Sequence, residues 1–190
     1  MKFQPLDLDG VVRVDVEALS DERGWFGRLH CEREFAAQGM LSRMVQSSIS
    51  VSRRAGTVRG MHLQWPPSRE GKLVRCIRGA IHDVVIDLRP DSPGYTRHIA
   101  VELSTLNRHA LYIPPGCAHG FQTLADDVEV LYQMADYYEP SLATGVRWND
   151  AAFAIGWPLP VSSTDDRDAA YGHFDSVRFA AECRRRLAGG

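Results

Sequence analysis

The sequence predicts a mainly β protein, a sandwich or barrel, and three observations carry that prediction. From Met44 onward, short runs alternate apolar and polar side chains at near-regular spacing. Turn chemistry separates them: Arg89-Pro90-Asp91-Ser92-Pro93-Gly94, then Thr105-Leu106-Asn107, then Pro114-Pro115-Gly116. Clear helical spacing is left for the end of the chain, where Val177, Ala180, Ala181 and Leu187 punctuate Asp175 to Leu187.

In order, Phe3 to Leu8 and Val11 to Val16 read as short strands, and Asp21-Glu22-Arg23-Gly24 as a turn into Trp25-Phe26. Glu32 to Gln38 is a short helix stopped by Gly39. Strands follow at Gln46 to Ser52, Lys72 to Ile77, Ile81 to Leu88, His98 to Leu103, His109 to Ile113 and Val128 to Met134. The expected organisation is one domain over 1–190: strands or an arm over 1–45, the core over 46–150, and a segment with a terminal helix over 151–190. Arg184, Arg185 and Arg186 are read as a solvated helix end that suits the dipole, rather than as an anion-binding patch.

With 190 residues, 44% hydrophobic content and a formal charge of −2, the chain offers no broad attraction for nucleic acid. No apolar run approaches the roughly 20 residues of a membrane span, and no leader pattern opens the chain. We therefore expect a cytoplasmic protein with no nucleic-acid and no membrane partner. Cys31, Cys76, Cys117 and Cys183 lack C-x-x-C spacing, so free thiols are expected and a zinc site is not.

The chemistry concentrates in Gly56-Thr57-Val58-Arg59-Gly60-Met61-His62-Leu63-Gln64, followed by Lys72. In a strand, residues two apart share a face, so His62 and Gln64 point the same way. Gly60 allows a turn or bulge just before the histidine. With Pro66-Pro67 as the connection, one hairpin is expected to set His62 and Lys72 on one cavity wall. Of seven histidines, His30, His98, His109 and His173 read as surface residues and His82 as either surface or site. His119, in Pro115-Gly116-Cys117-Ala118-His119-Gly120-Phe121, stands just past a turn. Alone, His62 or His119 is more simply a structural histidine. Together with Lys72 and Tyr132 they supply a base, an acid and a fixed cation for one site.

Pro115-x-x-x-His119 with its intervening glycine resembles the second half-motif of the cupin superfamily. The first half-motif normally supplies H-x-H and a later glutamate as metal ligands. Here the residues are His62-Leu63-Gln64 and Lys72, a poor donor set for a cation, and no metal or other cofactor is expected. Within the superfamily the chain is similar to the dTDP-4-dehydrorhamnose 3,5-epimerase family. The matching pieces are the Gly56–Gln64 run, Gly71 to Val74, Gly79 to Arg89, Ser92-Pro93, Ile113 to Phe121, Tyr132 and Trp148-Asn149-Asp150. The resemblance implies a cupin-type jelly-roll β-sandwich or barrel, with short peripheral helices and a C-terminal helix.

It also implies a chemistry: removal of the proton next to the C4 ketone of a nucleotide-linked 6-deoxy-4-keto sugar, and its return to the other face. By resemblance His62 is the base, Tyr132 the returning acid, Lys72 the partner of the enolate oxygen and Asp166 the carboxylate that orients His62. Arg59 matches a diphosphate contact, and His119, Asp83, Gln46, Gln64 and Tyr138 match pocket residues. Arg23 and Phe26 match an N-terminal arm that enters a neighbouring subunit's nucleotide site, implying a homodimer with strand exchange. Three positions depart from the family pattern. Arg28 stands for a glutamate, Ser48 for an asparagine, and Asp165 for the lysine that precedes the carboxylate. Arg28 either disfavours thymine as the base or points to solvent. Inversion of C3, C5 or both remains open, as do a different nucleotide sugar, ketoisomerisation, and a non-catalytic nucleotide-sugar-binding cupin.

Overall fold

The alternating runs fold into two antiparallel sheets laid face to face, in a computed structural model that describes residues 1–189. In chain order the elements are β1 (Lys2–Pro5), β2 (Val12–Asp15), β3 (Leu19–Asp21), β4 (Gly24–Phe26), α1 (Glu32–Ala37), β5 (Gln46–Ser52), β6 (Val58–Gln64) and β7 (Lys72–Arg78). They continue with β8 (Ala80–Asp87), β9 (His98–Ser104), β10 (Ala110–Ile113), β11 (Cys117–Thr123), β12 (Val128–Met134), β13 (Ala143–Gly145), α2 (Asp166–Ala170) and α3 (Ser176–Ala188). One sheet runs β1-β2-β10-β7-β12-β5 and the other β13-β6-β11-β8-β9; β3 and β4 form a separate hairpin. This is the expected jelly roll.

Alternation decides which residues meet between the layers. Val74, Cys76, Leu111, Val128 and Val130 of the first sheet pack against Ile81, Val85, Leu103 and Phe121 of the second. The outer face of the first sheet buries Val14, Leu73, Ala110 and Tyr112 under Phe35 of α1. On the opposite side, Met61, Leu63, Val84, Ile86 and Ala118 are covered by Phe153, Phe179 and Cys183 of the C-terminal segment.

Two expectations need correction here. β6 and β7 do not form a hairpin, because they belong to different sheets. The Pro66-Pro67 connection crosses between layers, so His62 and Lys72 stand on opposite walls rather than on one. The α3 face also differs: Phe179, Ala180 and Cys183 are buried, whereas Val177 (79% exposed), Ala181 and Leu187 face outward. Spacing located the helix correctly, but Phe174, Phe153 and Trp65 beside Phe179 set its rotation. The arginine triplet ends in ion pairs: Arg184 with Asp91, and Arg185 and Arg186 with Glu182.

Gly60 is where backbone geometry shapes the site. The β6–β11 register shifts between His119 and Phe121, so that Arg59 lies opposite Phe121 and His62 opposite His119. The shift lets Arg59 and His62, an odd number of residues apart, both face inward. Gly60 has φ +116°, and a Cβ there would meet the Gly120 Cα and the His119 carbonyl oxygen at 2.7 Å. Gly60→Ala should therefore lower unfolding stability by about 2 kcal/mol or more, read by urea denaturation; an unchanged midpoint would contradict this account of the bulge.

Candidate active site

At one end of the sandwich the apolar filling gives way to polar side chains, and two adjoining chambers open. The first, about 580 Å³, is lined by Ser50, Arg59, His62, Lys72, His119, Phe121, Tyr132, Thr164, Arg167 and Asp168 among others. The second, about 430 Å³, is lined by Gln46, Ser48, Gln64, Glu70 and Tyr138 and shares His62, Lys72, Tyr132 and Arg167 with the first. The shared residues are the ones on which any reaction across the two chambers would turn.

Strand register places each group. His62 and His119 face each other on the paired strands β6 and β11. On the other sheet, Met134 lies opposite Lys72 and Tyr132 opposite Val74, so ammonium and phenol sit diagonally on one inner face. Ser48 is the partner of Tyr132 on β5. Imidazole and phenol thus reach the cavity from separate layers.

Each histidine has its own carboxylate. His62 Nε2 is 2.6 Å from Asp168 Oδ1, while Asp168 Oδ2 accepts the Gly60 backbone N–H at 2.8 Å. Burial opposes the charge on Asp168, but the bonds from His62 and Gly60 and the nearby Arg167 outweigh it and hold its pKa below the ordinary aspartate value. An ionised Asp168 accepts the Nε2 proton, which leaves Nδ1 of a neutral His62 as the basic nitrogen. The His62 side chain is 46% exposed, open enough to exchange protons with solvent. His119 is buried and bonds Asp83 Oδ2 at 2.8 Å. Full burial raises the Asp83 pKa against the opposing pull of His119, and Asp83 Oδ1 has no partner.

Tyr132 stands edge-on to His119, with ring centroids 6.0 Å apart, and also packs on Phe121. Burial pushes its phenol well above the ordinary tyrosine range, so it carries its proton at neutral pH. Lys72 is mostly buried and ion-paired with Glu70. Arg59 donates from Nε to Ser52 Oγ and from Nη2 to the Val51 carbonyl oxygen, which fixes its guanidinium at the wall of the first chamber.

The sequence-predicted residues therefore divide. His62, Lys72, Tyr132, Arg59 and His119 meet in the first chamber, Asp83 stands behind His119, and Gln46, Ser48, Gln64 and Tyr138 line the second. Asp166 is a correction. It is exposed at the first position of α2, and the carboxylate on His62 belongs to Asp168, two residues on. Counting along an irregular segment misplaced it; α2 is only five residues long and is capped by Asp165, which accepts the Arg167 N–H at 2.8 Å. The position before the paired carboxylate is consequently Arg167, a basic residue, and Asp165 is a helix cap. Gly145, opposite His62 on β13, makes room for the Tyr171 ring, which a Cβ would meet at 2.6 Å.

Arg23, Phe26 and Arg28 lie outside this chain's own cavity. Arg23 bonds Asp21 and Arg28 bonds Glu34, and Phe26 projects from the hairpin with 75% of its surface exposed. Sequence reading missed Asp168, Arg167 and Glu70. Glu70, two residues before a site lysine and so on its side of an extended chain, carried a usable signal. The donor set does not suit a metal ion: His62 and His119 each commit a nitrogen to a carboxylate, and Lys72 stands where an acidic ligand would be needed. Among the described residues no three His, Cys, Asp or Glu side chains converge as ligands would.

A jelly roll whose cavity gathers carboxylate-paired imidazoles, a protonated phenol and an ammonium, in place of a ring of metal donors, has the architecture of a cupin. Comparison with known proteins places it further. The sequence profile of dTDP-4-dehydrorhamnose 3,5-epimerase matches residues 5–175, and the chain belongs to that family of sugar epimerases. It is 41% identical over 158 residues to the dTDP-4-dehydrorhamnose 3,5-epimerase of Methanothermobacter thermautotrophicus, covering 83% of this chain and 84% of the relative. It is 38% identical over 172 residues to the dTDP-4-dehydrorhamnose 3-epimerase of Streptomyces niveus, covering 89% and 83%. The crystal structure of the Bacillus anthracis 3,5-epimerase with TDP and PPi bound superposes with a TM-score of 0.88 at 34% identity, over 91% of this chain and 99% of that one.

Proposed function

We propose that this chain inverts C3, C5 or both in a dTDP-linked 4-keto-6-deoxy sugar by way of an enolate. The observation that carries the reading is that His62, Lys72 and Tyr132 all line both chambers, with the imidazole on one sheet and the other two groups on the other. His62 Nδ1 takes the proton α to the ketone, and the C–H pair becomes the C=C bond as the carbonyl π pair moves to oxygen. Lys72 donates to that oxygen. The enolate then collapses, and its carbon takes the Tyr132 proton from the opposite face. Solvent reprotonates the phenolate and takes the proton from His62, whose side chain is 46% exposed, so both groups are restored and no electrons are gained or lost overall. Asp168 holds the His62 tautomer throughout.

Inversion of one carbon alone is the second reading, supported by the likeness to the Streptomyces niveus 3-epimerase at an identity close to that of the 3,5-epimerases. We further infer a homodimer exchanging N-terminal strands. Leu19 and Phe26 on the β3–β4 hairpin, 73% and 75% exposed, would be covered by a neighbour whose cavity receives Arg23 and Phe26. Four unpaired cysteines fit a reducing cytosol, and no helix of the described residues is long and apolar enough to cross a membrane.

The test is a dTDP-4-keto-6-deoxyhexose incubated with the protein in deuterium oxide: NMR should show deuterium entering at C3 or C5, and a substrate left unlabelled would reduce the protein to a binder. Arg28, held by Glu34 at 2.7 Å, favours the solvent-facing reading of that residue. By calorimetry dTDP should accordingly bind about tenfold or more tighter than CDP, UDP or GDP; equal affinities would show that base selection has changed.

A further inference from the structure

Lys72 is not the only charge between the chambers. Its ammonium is ion-paired with the Glu70 carboxylate, and the two side chains are only 11% and 9% exposed. Glu70 belongs to no strand; it sits in the connection between β6 and β7 that crosses from one sheet to the other. That connection is pinned. Gln64 Nε2 donates to Ser68 Oγ at 3.2 Å, and Ser68 Oγ donates to Asp136 Oδ2 at 3.0 Å. Asp136 Oδ2 also accepts the Arg69 N–H at 2.9 Å, and Ser68 Oγ accepts the Glu70 N–H at 3.2 Å. At its far end the Gly71 carbonyl accepts the Ala135 N–H at 2.9 Å. Five side-chain and backbone bonds therefore hold the loop so that one carboxylate enters the second chamber beside Lys72.

Burying a carboxylate is costly, and it is tolerated here because the ammonium pairs with it. A lysine side chain is long and flexible, with three equivalent donors and little preferred direction of its own. An oxyanion is stabilised best by a donor already in place when charge develops, since reorganisation at that moment adds to the barrier. Anchoring one N–H on a fixed carboxylate restricts the ammonium and leaves two N–H groups for substrate.

We propose that Glu70 is a positioning residue for the epimerisation, anchoring the Lys72 ammonium where the enolate oxygen forms and acting only through Lys72. The proposal rests on the reading of Lys72 as the oxyanion donor. Glu70 itself moves no proton and makes no contact that the sugar requires.

The experiment is a double-mutant cycle on the full chain, reading deuterium uptake and epimer formation with a dTDP-4-keto-6-deoxyhexose for wild type, Glu70→Ala, Glu70→Gln, Lys72→Ala and the double variant Glu70→Ala/Lys72→Ala. Glu70→Ala should lower kcat about 10- to 30-fold and change KM by less than about threefold, the signature of an interaction used in the transition state. Glu70→Gln keeps an oxygen acceptor of the same reach and should recover to within about threefold of wild type. In the Lys72→Ala background, Glu70→Ala should cost less than about twofold, because nothing is left to position. Circular dichroism and dTDP affinity check that each chain is folded; if Glu70→Ala does not fold, Glu70→Ser enters the cycle in its place. A Glu70→Ala enzyme within twofold of wild type overturns the proposal, as does an equal loss in both backgrounds or a Glu70→Gln variant as impaired as Glu70→Ala. If Lys72→Ala itself leaves uptake unchanged, it is the assignment of Lys72 that fails.

Discussion

His62→Ala should abolish deuterium entry at both carbons, with a fall of at least about a thousandfold in the exchange rate. The magnitude follows from the task. A proton next to a ketone leaves only if a base is in contact with it while the oxyanion is stabilised, and no other imidazole is placed to substitute. His119 is buried, and its Nε2 is occupied by Asp83. Binding of dTDP should be nearly unchanged, since the role proposed for His62 is on the sugar. Asp168→Asn gives the same result in weaker form, about a hundredfold, because an amide can present its N–H to His62 Nε2 and stabilise the tautomer with the lone pair on the wrong nitrogen. The loss at Asp168→Asn should exceed that at Asp166→Asn by at least about tenfold; the reverse order would return the pairing to the exposed residue.

Tyr132→Phe should separate the two halves of the reaction. Without the phenol, proton abstraction and enolate formation still occur. His62, open to solvent, trades its proton for a deuteron and can return it to the face it came from. Deuterium should therefore appear in substrate of unchanged configuration, with exchange reduced less than about tenfold while epimer formation falls about a hundredfold or more. The NMR spectrum that reports uptake also reports configuration, so one sample reads both rates. Equal losses in the two would mean that Tyr132 does not act as the acid on the second face. The raised phenol pKa suits this role: at neutral pH the group holds the proton it must give, and burial keeps the phenolate short-lived.

Much of this was legible in the sequence for a specific reason. Strand alternation revealed the β-sandwich, whereas Gln46, Ser48 and Tyr132 were placed in the site by family resemblance. In β5 the apolar Ile49 and Val51 are exposed and the polar Gln46 and Ser48 line the cavity, so period alone would have chosen the wrong face. Gly60 announced the bulge that turns His62 into the cavity. What periodicity does not encode is which strands become neighbours. The β6–β7 connection looks like a hairpin because Pro66-Pro67 is a turn signal, whereas the sheet assignment depends on long-range pairing of β6 with β11 and β7 with β10 and β12. Asp168 was lost for a related reason. It lies in a one-turn helix with no apolar stripe, reached through irregular chain that meets β6 through long-range contacts such as the Val58 N–H to Ser163 carbonyl bond and those of Asp168 itself with Gly60 and His62. Rotation of α3 was unreadable too, because Phe179 faces a cluster drawn from Phe153, Phe174 and Trp65, all outside the helix.

That His62 and Tyr132 stand on different sheets has a stereochemical corollary for the proposed inversion. The span between them is set by what fills the gap between the layers, the buried cluster to which Phe121 and Val130 both belong. On the proposed mechanism, handedness of the product would be partly a property of interior packing: a methylene added or removed beneath the cavity would alter how the sugar ring is gripped on its two faces without touching His62, Lys72 or Tyr132. Selection acting on an aliphatic contact could shift the preferred carbon while leaving every polar residue in place.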